Sequence, residues 1–252
     1  MAKKALYLAK ISITFFLIGT FNNALSQSAK KDSEVYLVFD QIVGKTNTGV
    51  FNGTEYFNRF RTINEKHQFF KGDQFYKGSL LLTEASYPDL DLKYDVYLDE
   101  LIIGNLEILG SPMTVIDKGK VVAFTIGNSS FVNIKKEEES SDRALSGYAE
   151  ILSEKESLVL LKKHKKAISR KTNSKRAYYE FKDGHSYFLK YKNQLYPLKN
   201  LKSLISIFPD QKTILKTSYD SHQRLKKTQP DVFFKSIISD LQEALILKQT
   251  KG

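Results

Sequence analysis

Four histidines, His67, His164, His185 and His222, are the side chains best suited to proton transfer or metal ligation near neutral pH. No two stand three or four positions apart, and none shares a short motif with carboxylates. Isolated histidines of this kind more often serve structure than catalysis. The chain has no cysteine, which removes thiol nucleophiles, zinc ribbons and iron–sulfur ligation. It also has no GxSxG elbow, no HExxH helix, no GxxxxGK phosphate loop and no GxGxxG turn. No catalytic residue, metal ligand set or cofactor is expected from this inventory.

Asp89, Asp91 and Asp95, followed by Asp99 and Glu100, form the densest acidic group on a predicted strand. Odd positions of a strand share one face and could offer oxygens to Ca²⁺. Lys93 stands in the middle of that face, and the glycine-turned loop of a calcium site is missing. The pattern reads better as the solvent face of a half-buried sheet. The acids of residues 27–161 could also supply a carboxylate pair for glycoside hydrolysis, but no spacing selects one. Eight aromatics crowd the stretch from Phe51 to Tyr76: Phe51, Tyr56, Phe57, Phe60, Phe69, Phe70, Phe75 and Tyr76. They read as core and sheet-edge filling, and the lack of tryptophan weakens a sugar-stacking platform.

The strongest candidate binding feature is cationic. Lys162, Lys163, Lys165, Lys166, Arg170, Lys171, Lys175 and Arg176 fall within fifteen residues that contain no acid. Such a run attracts phosphate, sulfate or carboxylate, with affinity falling as salt rises. The alternative is a solvated hairpin that adds only solubility.

These residues must be positioned by elements the periodicity makes visible. From Val35 the texture is that of strands, with short β-branched and aromatic runs between Gly, Asn and Asp. Val35–Val43, Phe75–Thr83, Leu90–Tyr97, Leu101–Gly104, Glu107–Leu109, Met113–Ile116, Val121–Ile126 and Phe131–Ile134 follow at meander spacing. Residues 135–147 are a charged loop or subdomain boundary. Tyr148–Leu152 and Leu158–Lys163 resume the strands, with the cationic run beginning at the end of the second and continuing as a loop. Asp183–Gly184, a favoured type I′ dipeptide, predicts a hairpin between Ala177–Lys182 and Ser186–Tyr191. Lys192–Gln194 predicts a further turn toward Leu195–Leu198.

Beyond Pro197 the period changes to that of helices. Asn200 is a candidate cap for a helix ended by Pro209, and Asp210 to about Leu225 carries a second helical pattern. Thr228 is a candidate cap for the last helix, which carries the stripe Phe234, Ile237, Ile238, Leu241 and Leu245. The predicted class is α+β. An antiparallel β-rich body of meanders and hairpins, with a curved sheet or half-barrel among its forms, precedes two or three C-terminal helices. The expected regions are 27–134 (β), 135–147 (charged), 148–198 (hairpins) and 199–249 (helices).

The 252-residue chain carries a formal charge of +11, unevenly spread. Residues 27–161 hold 15 cations and 21 acids, whereas residues 162–252 hold 21 cations and 7 acids. The first 26 residues have the order of a secretory signal: Lys3, Lys4 and Lys10, then the uncharged run Ile11–Phe21, then Ala24-Leu25-Ser26. The run is too short for a membrane span. Cleavage after Ser26 is expected, an uncleaved anchor being the alternative, and no later stretch reaches spanning length. An exported chain without cysteine must rely on a packed core rather than disulfides.

The Ala24-Leu25-Ser26-Gln27 ending, Tyr94-Asp95-Val96-Tyr97 with Asp99-Glu100-Leu101, Gly147-Tyr148 to Leu152, Leu160-Leu161-Lys162 to Lys166, Tyr187-Phe188-Leu189 and the lysine-rich helical tail occur in a suggestive order. In these the chain resembles a group of exported β-rich proteins of Bacteroidota-type bacteria. The resemblance implies an envelope or secreted location and a β body with a helical end, and it implies no activity.

The expected function is therefore a non-enzymatic exported protein, periplasmic, peripheral to the outer membrane or secreted. It would bind or scaffold an anionic envelope component through its basic C-terminal half. That component could be a lipid headgroup, an acidic polysaccharide or an acidic protein; nucleic acid is not expected. A carrier of an apolar ligand in a curved sheet under a helical lid is the alternative. A hydrolase is the third reading.

Overall fold

The computed structural model describes residues 53–63, 65–106, 110–135, 145–173 and 176–249. The chain divides into residues 1–52 and a compact unit, 53–252. The signal with its cleavage point, the strands expected at Val35–Val43 and Glu107–Leu109, most of the charged stretch (136–144), Phe51 and Lys175 lie outside the described residues.

Eleven strands make one open antiparallel sheet. They are β1 (Thr54–Glu55), β2 (Tyr76–Leu82), β3 (Ser86–Asp95), β4 (Glu100–Gly104), β5 (Thr114–Val115), β6 (Val121–Ile126), β7 (Ser129–Ile134), β8 (Gly147–Lys155), β9 (Leu158–Asn173), β10 (Arg176–Tyr191) and β11 (Gln194–Leu198). Their spatial order is β1-β5-β4-β3-β2-β6-β7-β8-β9-β10-β11. Two meanders thus run in opposite directions from the seam where β2 meets β6. Tight turns fix the registers. Gly127 (φ +54°) opens the two-residue link between Ile126 and Ser129, and Lys192 and Asn193 (φ +49° and +61°) join Tyr191 to Gln194. Both links use the positive φ that two-residue hairpins need.

Four helices follow: α1 (Leu201–Ile207), α2 (Lys212–Ser221), the single turn α3 (Leu225–Thr228) and α4 (Pro230–Gln249). Asn200 caps α1 as expected, accepting from the Ser203 amide at 3.2 Å. Thr228 does not cap α4. It closes α3 instead, its hydroxyl donating to the Arg224 carbonyl at 3.3 Å. The α4 stripe of Phe233, Phe234, Ile237, Ile238 and Leu241 buries against Leu158, Leu160 and Leu189 of the sheet. Each such side chain contributes roughly 1.5–3 kcal/mol by leaving water.

Residues 56–75 form a strap. The Tyr56 amide bonds the Met113 carbonyl near β5, the Tyr179 and Phe181 amides of β10 bond the carbonyls of Arg61 and Lys66, and the Phe70 amide bonds the Tyr94 carbonyl of β3. The strap therefore ties β10 to β3, six places apart in the sheet. Its rings cover the face of β3 expected to meet solvent. Lys93 lies 4.3 Å from the Phe69 ring centroid and 5.0 Å from that of Phe75, and Asp95 accepts from the Tyr56 hydroxyl at 2.8 Å. From Leu92 to Asp95 both faces of β3 are consequently buried, because the aromatic-rich segment before β2 folds back over the alternate side chains.

Two expectations about the cationic region are corrected. His164 to Asn173 is strand, not loop. Asp183–Gly184 is not a turn, since these residues pair with Lys166 and Lys165 in the interior of β10. The observed register sets Leu160 opposite Leu189 and Leu161 opposite Phe188, all four buried. A turn at Asp183–Gly184 would forfeit those pairings, and core burial outweighs a local dipeptide preference.

Candidate functional site

Seven of the eight cations predicted as one patch are described, and they have four different environments. Lys162 pairs with Asp231 of α4 at 2.8 Å. Lys163 is buried, donating to Asp99 at 2.8 Å and to the Tyr148 carbonyl at 2.9 Å. Lys166 pairs with Asp183 across the ladder at 2.8 Å. Lys165, Arg170, Lys171 and Arg176 are exposed along the β9–β10 hairpin. Lys165 and Lys171 share one face, roughly 20 Å apart at 3.3 Å per residue. Past Lys162, β9 has no β8 residue opposite it, and past Tyr187, β10 has no β11 residue opposite it. The hairpin thus leaves the sheet as a two-stranded arm, and the strap holds it at Tyr179 and Phe181.

Where β11 ends, a cleft of about 570 Å³ opens between β9–β11 and the α3–α4 region. Its floor is made of Tyr187, Phe188, Leu198 and Phe234, all buried, with Pro197 and Pro230 partly so. Lys165, His185, Lys199 and Lys226 border it and are exposed, and among the described residues no carboxylate lines it. Lys165 and Ser186 belong to one face of the β9–β10 ladder, His185 and Tyr187 to the other. Asp231 on α4 is engaged by Lys162 and by the Tyr187 hydroxyl. Burial tends to raise the Asp231 carboxyl, but these two donors hold it below the usual range. Burial and then the Lys162 charge push the His185 imidazole down, so it is neutral at pH 7 and can both donate and accept. Lys226 also donates to the Tyr219 hydroxyl at 2.6 Å, which fixes its stem.

A second polar cluster surrounds Asp99 in the β3–β4 turn. It accepts from the Tyr94 hydroxyl at 2.6 Å, from Lys163 and from Lys118. Burial raises the Asp99 carboxyl, yet the Lys163 charge and the lysine and tyrosine donors hold it below its ordinary value. Gly147 (φ +79°) lies so close that a Cβ there would fall 1.8 Å from Asp99 Oδ2. Asp99, Glu100, Asp117 and Lys118 border a cleft of about 430 Å³. With its charges compensated by short bonds, the cluster works as a brace between β3, β8 and β9.

The histidines are dispersed. His164 meets Glu150 at 2.7 Å, His222 meets Asp240 at 3.4 Å, and His67 accepts from the Phe69 amide at 3.2 Å. Among the described residues no histidine has two carboxylates within hydrogen-bonding distance. Asp89 and Asp91, offered as calcium ligands, both face Lys77, at 3.5 and 3.0 Å. The rings of Tyr94, Phe124, Phe131 and Tyr148 pack together at 4.7–5.9 Å between centroids. The protein's own aromatics thus occupy the space where an apolar ligand would have to sit against β3 and β6–β8.

No protein-family model matches this chain, and neither a curated protein nor a solved structure does. Of the sequence-selected cations only Lys165 belongs to the larger cleft. Lys199, Lys226 and His185 border it from the β11–α1 link, α3 and β10 respectively, and no local spacing announces that placement.

Proposed function

We propose that this is an exported, non-enzymatic protein of the cell envelope that holds a polyanionic component through its basic C-terminal half. The observation that carries the reading is the arm: Lys165, Arg170, Lys171 and Arg176 stand exposed on the β9–β10 hairpin while Lys162, Lys163 and Lys166 are neutralised by acids. The charge that remains for a partner is therefore distal. The signal-like first 26 residues supply the location. No helix among the described residues is long and apolar enough to cross a membrane.

The test is retention of the full chain on an acidic polysaccharide and on anionic vesicles across a salt series. Binding is expected to weaken steadily with salt. A variant with Arg170→Ser, Lys171→Ser and Arg176→Ser loses about 1 kcal/mol per cation, or roughly 100-fold in all. Undiminished binding by this variant would overturn the proposal. Substituting Lys162, Lys163 or Lys166 would be a poor test, because each loss strands a partner acid.

A further inference from the structure

The register of β9 with β10 sorts the arm's side chains onto two faces, because residues opposite each other in an antiparallel ladder share a face and alternate residues follow them. One face carries Ile168 with Phe181 and Arg170 with Tyr179. The strap closes on it, its Phe60 ring lying 5.4 Å from that of Tyr179 and 5.3 Å from that of Phe181. The other face carries Lys165, Lys182, Lys171 and Arg176, in that order toward the tip, and all four are exposed. The acid that shares this face, Glu180, pairs with Lys66 at 3.1 Å. We infer that this second face is a track along which a linear acidic polysaccharide lies lengthwise. The inference rests on the polyanion reading above and names both the chemical class and the face that meets it.

Three features favour a polymer chain. The cations form a strip two strands wide, running roughly 26 Å from Lys165 to the level of Arg176 at about 3.3 Å per residue. Two-stranded ribbons twist strongly, so a strip of this length turns out of any one plane. A flexible chain follows that twist, whereas the headgroups of a bilayer do not. Among the described residues of the arm no large apolar side chain is exposed, so the burial that strengthens peripheral membrane binding is missing. Between the cations the side chains are small. Gly184, Ala167 and Ser169 occupy successive levels of the ladder, and a Cβ on Gly184 would meet nothing closer than the Lys165 Cβ at 3.8 Å. The strip is therefore open from above, and a chain can settle between the lysine stems. Tyr178, opposite Lys171, offers its ring to the C–H face of one sugar. Single-stranded nucleic acid is instead held by a succession of aromatic platforms, and the strip has no second ring among its described residues.

The experiment titrates the full chain with decagalacturonate, digalacturonate, a decameric glutamate peptide, a decameric deoxythymidylate and phosphatidylglycerol vesicles. Arg170 and Lys171 are chain neighbours on opposite faces, so Arg170→Ser and Lys171→Ser remove equal charge and differ in the face they alter. Lys171→Ser/Lys182→Ser is expected to weaken decagalacturonate binding roughly 30-fold and to flatten its dependence on salt. Arg170→Ser is expected to change the affinity less than about twofold, through the screened field alone. Digalacturonate, which meets fewer of the cations at once, is expected to bind roughly tenfold more weakly than the decamer, or weaker still. Thermal midpoints check that the fold is kept, and if the double variant lowers the midpoint, Lys182→Ser alone carries the comparison. Equal losses in Arg170→Ser and Lys171→Ser, or no loss in Lys171→Ser/Lys182→Ser, overturn the track and leave the polyanion reading standing. Tighter binding of the glutamate peptide, the deoxythymidylate or the vesicles than of decagalacturonate overturns the polysaccharide assignment. Failure of every polyanion to bind overturns the parent reading itself.

Discussion

Asp99 shows how much one side chain can organise. Its carboxylate joins Tyr94 on β3, Lys118 after β5 and Lys163 on β9, and the absent side chain of Gly147 leaves room for it. Replacing it by Asn keeps the shape and removes the charge, leaving Lys163, which is only 9% exposed, without a counter-ion. Asp99→Asn is therefore expected to cost about 3 kcal/mol, read as a lower denaturant midpoint. A variant with an unchanged midpoint would show that solvent already screens the pair. The same logic sets a pH dependence. Asp99, Glu150 and Asp231 are buried enough to be raised, but their lysine, histidine and tyrosine donors win and hold all three low. Carboxyls lowered by folding stabilise fully above their unfolded values, near 4, and lose that contribution as pH falls through the folded values. Stability is expected to drop steeply below about pH 4, and in Asp99→Asn the drop becomes shallower. Equal acid limbs in the two proteins would count against the assignment.

At the scale of elements, the register of β9 with β10 is the decisive fact. Gly184 lies inside β10 with ordinary extended backbone, and its would-be Cβ has 3.8 Å to its nearest neighbour, the Lys165 Cβ. Gly184→Ala is expected to raise stability by about 0.5–1 kcal/mol, since a strand glycine loses entropy without a steric reason to be there. Destabilisation would instead revive a turn at Asp183–Gly184. Short β-branched runs with bounded ends, such as Val121–Ile126, were legible in the sequence, as were the Asn200 cap and the α4 stripe. Asp183–Gly184 was misleading because its local preference for a turn is worth less than the burial of Leu160, Leu161, Phe188 and Leu189. Lys93 and Asp95 looked solvated because alternation cannot reveal a strap folding back from another part of the chain.

For the molecule as a whole, charge layout was legible and charge geometry was not. Composition identified the basic half, but only the fold divides its lysines into braces, rungs and exposed contacts. Lys199 and Lys226 came from segments that sequence reading treated as a linker and a helix end. Their place at the cleft depends on α3 and α4 packing over the end of β11, which is tertiary information. The strap adds a consequence for biosynthesis. The carbonyls of Arg61 and Lys66 accept hydrogen bonds from the Tyr179 and Phe181 amides, more than a hundred positions downstream. As the chain is made from its amino end, the strap has no seat on β10 until that strand has emerged. Until then the earlier strands lack the tie between β10 and β3.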